Sequence, residues 1–175
     1  TQNPIEQEGT YPLPEAQLDR FMFMIQIEYP REDEELEIVR RSVTKQDVKV
    51  NAVVSSAEIK RAQDLVRQTP VADHVIRYAL RLVRATRVNE PMDGGIDRPA
   101  VVKEYVGWGA GPRASEYIIL AAKARALLSG SLHVTPEHVR AAAKPVLRHR
   151  ILLNFNAEAD QVTADKVIEG LLEKI

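Results

Sequence analysis

The 175-residue chain contains no cysteine, which excludes disulfides and any zinc site with thiolate ligands. A reducing compartment fits that composition without being required by it. The loop Gly-x-x-x-x-Gly-Lys-Ser/Thr, whose backbone N–H groups cradle nucleotide phosphates, occurs nowhere in the sequence. An apolar strand ending in paired acids for Mg²⁺ is missing as well. No apolar stretch approaches the ~18 residues that span a bilayer. Charge of one sign is also lacking: 24 Lys and Arg against 25 Asp and Glu leave a net charge of −1. That balance argues against a dedicated polyanion binder. A soluble, cytoplasmic protein with no membrane insertion is the default expectation.

The length fits one ordinary domain, or a small domain plus a remnant of another. Phe21 to Ile27 is a short apolar run ending at Tyr29-Pro30 and predicts one buried strand. Residues 31–41 predict an acidic helix, and 48–54 a short extended piece. Helices dominate from there. Ser56 is the expected N-cap of a helix over 57–68, with Ile59, Ala62, Leu65 and Val66 on one face and Pro70 as its stop. A second helix spans 73–88, followed by a Gly-, Pro- and Asp-rich loop over 89–99. Gly107 to Pro112 is a break, and Pro112 suits the first position of a helix over 113–128. Thr135 and Pro136 open another helix toward Arg148, in which Pro145 predicts a kink or an early end. Thr163 caps a last helix over 163–173. The expectation is a mainly α chain: one N-terminal strand, then a bundle of about five helices.

Several constellations carry chemistry. Asn3, fixed by Pro4, is either a turn residue or an amide that holds the water attacking a γ-phosphate. Asp19-Arg20-Phe21 is either a solvated ion pair or a planar guanidinium offered to phosphate oxygens. Gly109-Ala-Gly-Pro-Arg113 carries the strongest physical signal. Its glycines permit close backbone approach, a helix N-terminus follows, and Arg113 sits in a first turn where the helix dipole disfavours a cation. A nearby anion would account for that placement; a flexible loop with a surface arginine is the alternative. His74, His133, His138 and His149 lack the spacing and acidic partners of a metal site, and none is expected. Arg77, Arg81, Arg84 and Arg87 form a helical stripe that reads as a solvated face before it reads as a nucleic-acid surface. Trp108 and Tyr105 either pack the glycine loop or stack on a base.

The segment Asn3-Pro-Ile-Glu-Gln-Glu-Gly-Thr-Tyr-Pro-Leu-Pro-Glu-Ala-Gln-Leu-Asp-Arg-Phe21 is followed downstream by Gly109-Ala-Gly-Pro-Arg-Ala-Ser115. Val134-Thr-Pro-Glu and Val146-Leu-Arg-His-Arg150 come later. Together they resemble the MoxR family of AAA+ ATPases over nearly the whole chain. The resemblance implies that residues 1–30 are the C-terminal end of the α/β ATPase core, with about one strand. It implies that 31–175 are a helical lid similar to that of the magnesium chelatase ATPase subunit. Asn3 would match the sensor 1 position, Arg20 the arginine finger offered to a neighbouring subunit, and Arg113 the sensor 2 arginine reaching the γ-phosphate. Gly111 and Pro112 would line the nucleotide beside it. Many members read Gly-Ala-Ser-Pro-Arg where this chain has Gly-Ala-Gly-Pro-Arg, which leaves the arginine in place. The phosphate loop and the Mg²⁺-binding acids would precede Thr1, so the chain is expected to be a C-terminal fragment that neither hydrolyses nor tightly binds ATP alone. The parent would use ATP and Mg²⁺ to mature or assemble partner complexes as a homo-oligomeric ring, expected to be a hexamer, often with a von Willebrand factor A-domain protein. Two rivals from other classes are a stand-alone helical adaptor that never meets nucleotide, and a helical DNA-binding module using the arginine stripe.

Overall fold

The structure, a computed structural model, describes residues 13–44, 49–91 and 98–175. In chain order the helices are α1 (Glu15–Leu18), α2 (Glu32–Val43), α3 (Ser56–Gln68), α4 (Asp73–Ala85) and α5 (Ala100–Tyr105). Strand β1 (Val106–Trp108), α6 (Pro112–Leu128), α7 (Pro136–Leu147), β2 (Leu152–Leu153), α8 (Phe155–Ala159) and α9 (Ala164–Lys174) complete the set. The chain divides into two compact units, Thr1–Met24 with Val66–Ile175, and Ile25–Leu65.

The larger unit owes its core to apolar residues at helical spacing. Val75, Ala79, Leu82 and Val83 recur every three to four residues along α4, and all are buried. Helix α6 buries Ala114, Ile118, Ala122 and Ala126, and the three alanines let α7 lie close against it. Val139, Ala143, Val146 and Leu147 of α7 and Val167, Ile168 and Leu171 of α9 fill the centre.

Helix ends follow the side-chain chemistry. Thr163 Oγ1 accepts from the Lys166 N–H at 3.3 Å. Thr135 caps α7, and His138 returns the bond by accepting the Thr135 N–H at Nδ1, 3.1 Å away. Pro145 does not end α7, which runs on to Leu147; its carbonyl instead accepts the N–H of Met24 at 2.8 Å. At α3 the cap falls one residue earlier than Ser56. Ser55 Oγ accepts from Glu58 N–H at 3.3 Å while the Ser55 N–H donates to the Glu58 carboxylate at 2.8 Å, a reciprocal pair that Ser56 has no acid three residues on to make.

Three expectations change. The run from Phe21 to Ile27 forms no strand, and Phe21 and Phe23 are exposed. The two strands present among the described residues pair antiparallel, Val106 with Leu153 and Trp108 with Leu152, and the first of them overlaps the break predicted from Gly107. The arginine stripe is also interrupted: α4 ends at Ala85, and Arg87 turns inward to donate to the Ala110 carbonyl at 2.9 Å and to Glu90 at 3.1 Å. The mainly helical class itself holds.

The smaller unit contains α2 and most of α3, and neither helix buries a residue. Helix α2 places Glu32, Asp33, Glu34 and Glu35 in its first turn and Arg40 and Arg41 in its last, the arrangement that complements the helix dipole.

Truncation of Ile168, fully buried, to alanine is expected to cost about 2–5 kcal/mol in chemical denaturation. Leu128→Ala, at a side chain 89% exposed, should stay within about 0.5 kcal/mol of the parent chain.

Candidate functional site

The N-terminus of α6 is fixed by the end of α4. Thr86 is fully buried; its hydroxyl donates to the Val83 carbonyl at 2.6 Å and accepts the N–H of Ala110 at 2.9 Å. Gly109 lies so close that a Cβ there would collide with the Thr86 carbonyl and sit 2.6 Å from the Arg87 nitrogen. A side chain has no room at this position. Gly111 differs: a Cβ would meet nothing within 4 Å, so open space faces the helix entry. Pro112 then occupies the first helical position, as its missing N–H allows, and Arg113 follows in the first turn. A cavity of about 290 Å³ opens beside this turn, lined by Asn89, Glu90, Trp108, Gly109, Gly111 and Pro112 among others. Trp108 is 67% exposed at its edge rather than packed inside the loop.

The anion that Arg113 calls for is Asp19. Arg113 Nη1 lies 2.5 Å from Asp19 Oδ2, which offsets the unfavourable meeting of a cation with the positive end of α6. The side chain of Arg113 stays 47% exposed. The other oxygen, Asp19 Oδ1, accepts from Arg150 Nε at 2.9 Å. A single carboxylate thus serves two guanidinium groups.

Arg150 is the residue that sequence inspection missed. Its side chain is 1% exposed, and a buried charge is tolerable only when every donor finds an acceptor. Nη2 donates to the carbonyls of Asp19 at 2.6 Å and Phe21 at 2.5 Å. Nη1 donates to the Met22 carbonyl at 3.3 Å and to the Val146 carbonyl. With Nε on Asp19, all five N–H donors of the guanidinium are used. The carbon at its centre stands 5.1 Å from the centroid of the Tyr117 ring, within cation–π range. Burial pulls the Arg150 guanidinium below its ordinary value, and the bond to Asp19 opposes that shift.

Neighbouring side chains complete the clamp. The Tyr117 hydroxyl donates to the Arg20 carbonyl at 3.0 Å. His149 Nε2–H donates to the Phe21 carbonyl at 3.0 Å, which requires the proton on that nitrogen. Arg148 grips Asp165 through two bonds of 3.0 and 2.7 Å and donates to the Met24 carbonyl at 3.2 Å. The carbonyls of residues 19–22 and 24 are therefore taken by arginine, histidine and tyrosine side chains where a strand would offer them to a ladder. This arrangement holds the peptide of Arg20 while its exposed guanidinium makes no hydrogen bond or ion pair among the described residues.

Asn3 lies outside the described residues, so the structure brings together Arg113, Pro112, Gly111 and the Asp19-Arg20 peptide without it. Among the described residues no group of three His, Asp or Glu converges to hold a metal. His138 is committed to the α7 cap, and the Tyr105 hydroxyl to Asp160 at 3.1 Å.

Comparison with known proteins defines the class and then the family. Residues 98–171 match the AAA lid domain, and residues 1–23 match the ATPase family associated with various cellular activities (AAA). The chain is 42% identical to the chaperone MoxR1 of Mycobacterium tuberculosis, over all of this chain and 45% of that protein. It is 30% identical to the protein MoxR of Methylorubrum extorquens, over 99% of this chain and 52% of the relative. A crystal structure of a Cytophaga hutchinsonii protein superposes with a TM-score of 0.87 at 36% identity, covering all of this chain and 52% of that one. The chain belongs to the MoxR family of AAA+ proteins, and it spans about half the length of the curated relatives it matches.

Two outcomes follow from the site. Gly109→Ala is expected to lose about 1–3 kcal/mol in chemical denaturation, because the new methyl meets backbone that cannot yield. The second concerns His149, whose value is lowered from the ordinary 6.5, first by burial and then by the charge of Arg150; Arg148 acts the same way, while Asp19 and the Phe21 carbonyl oppose. Between the lowered value and 6.5 the unfolded chain binds more protons than the folded one. The stability given by the neutral ring is thus complete above 6.5 and declines as pH falls below it. The melting temperature should drop more from about pH 7.5 to about pH 6 in the parent chain than in His149→Gln. Equal drops would contradict the assignment.

Proposed function

We propose that this chain is the nucleotide-sensing and subunit-linking portion of an ATP-hydrolysing chaperone of the MoxR type. The observation that supports it best is the shared carboxylate of Asp19. It holds Arg113 half-exposed at the open entry of α6 and lies beside Arg20, which is exposed and has no side-chain partner among the described residues. In the proposed roles, Arg113 contacts the γ-phosphate of ATP bound to its own protomer, with Gly111 and Pro112 lining the nucleotide. Arg20 reaches the site of the next protomer as an arginine finger. Asn3 orients the attacking water.

The donor set fits a triphosphate. A guanidinium fork and the positive end of a helix dipole both favour phosphate oxygens, and a cavity lies alongside. ATP with Mg²⁺ would supply the transferable phosphoryl group. The chain's contribution is to neutralise the charge that spreads over that group in the transition state. No phosphate loop occurs in these 175 residues, so turnover requires groups outside them.

Under the same proposal, residues 1–30 end the ATPase core and 31–175 form the lid. A hexameric ring gives each finger a neighbour to meet, the ring works in the cytoplasm, and a von Willebrand factor A-domain protein is the expected partner.

Subunit mixing in the full-length protein tests the central roles. Arg20→Ala and Arg113→Ala subunits should each hydrolyse ATP poorly, with losses on the order of 10³-fold for the finger. Mixed together, they should regain turnover, because some interfaces then pair an intact Arg113 site with an intact Arg20 from next door. No recovery would contradict a finger acting in trans, and ATP turnover by the 175-residue chain alone would contradict the division of labour.

A further inference from the structure

We infer that Arg150 is a positioning residue that sets the sensing and finger arginines together, with Asp19 as the link between them. The inference rests on the roles proposed above for Arg20 and Arg113; the clamp itself rests on geometry. Arg150 holds the carbonyl before Arg20, at Asp19, and the carbonyl after it, at Phe21, while Tyr117 holds the carbonyl of Arg20 itself. Three successive carbonyls are fixed from the α6 and α7 side, while the exposed Arg20 side chain makes no hydrogen bond or ion pair among the described residues. A group that must reach a neighbouring molecule gains from that arrangement, since its origin is fixed before the partner arrives.

The chemistry selects arginine at this position. A lysine ammonium has three donors around a point charge, whereas five acceptors converge here in a planar fork. Arg150→Lys therefore keeps the charge and loses the grip. Asp19 carries the link to Arg113. When a phosphate draws Arg113 away, Asp19 keeps its bond to Arg150, so the Arg20 peptide stays in place as the sensor moves.

Trypsin reads the clamp directly, because the Arg20–Phe21 bond is a substrate bond whose flanking carbonyls are all engaged. In the 175-residue chain this bond should resist cleavage. Arg150→Lys should raise its cleavage rate about tenfold, as proteolysis follows the opened population. Tyr117→Phe keeps the ring under Arg150 and removes only the bond to the Arg20 carbonyl. It should raise cleavage without lowering the melting temperature appreciably, which guards against a folding defect in the lysine variant. In the full-length protein, Arg150→Lys should lower kcat for ATP with little change in KM. The double variant Arg20→Ala/Arg150→Lys should be no slower than Arg20→Ala alone, because a positioning residue has nothing left to position. A merely structural role would give additive losses.

Unchanged cleavage in both single variants overturns the inference, as do additive losses in kcat. If Arg20→Ala leaves kcat intact, the finger role fails and the inference falls with it, and the trypsin result then tells that failure from a missing clamp.

Discussion

The carboxylate of Asp19, shared between a buried arginine and a half-exposed one, is the interaction on which the arrangement depends. Its inner oxygen completes the five-bond environment that makes Arg150 tolerable inside the protein. Its outer oxygen offsets the dipole penalty on Arg113 at the entry of α6. Without the carboxylate, Arg150 would lose a charged acceptor in a low-dielectric setting, and Arg113 would face the helix N-terminus unassisted. Both the packing of residues 19–24 and the geometry of the candidate site thus pass through one side chain.

The same interaction ties two stretches that are distant in sequence. Residues before Met24 carry the finger candidate, and α6 carries the sensor candidate. The turn after α7 supplies Arg148, His149 and Arg150, which hold the first stretch by its carbonyls. Thr86 and Gly109 fix the second from the other side, where α4 ends. A ligand that drew Arg113 from Asp19 would therefore leave the peptide that presents Arg20 held by Arg150.

Much of this was legible in the sequence. The helical periodicities of α4 and α7, Pro112 at a first helical position and the caps at Thr135 and Thr163 each stand where residue chemistry puts them. The motif around Arg113 was legible because glycines, a helix-opening proline and a misplaced cation point to one need. The run after Arg20 misled, because apolar residues ending at a proline satisfy the pattern of a buried strand equally well. Its backbone partners come from residues more than a hundred positions later, and no local pattern carries that information. Arg150 was missed for a related reason. Arg148, His149 and Arg150 follow a helix end, where basic residues suit the dipole, and nothing nearby in the chain distinguishes the one whose five donors are all used.

The most direct test is a structure of the full-length protein with a non-hydrolysable ATP analogue. The account predicts that Arg113 has left Asp19 for the γ-phosphate of its own protomer. Arg150 still holds the carbonyls of Asp19 and Phe21, and Arg20 lies within hydrogen-bond reach of the neighbouring nucleotide. Nucleotide bound with Arg113 still on Asp19, and with neither Arg113 nor Arg20 within reach of a phosphate, would contradict it.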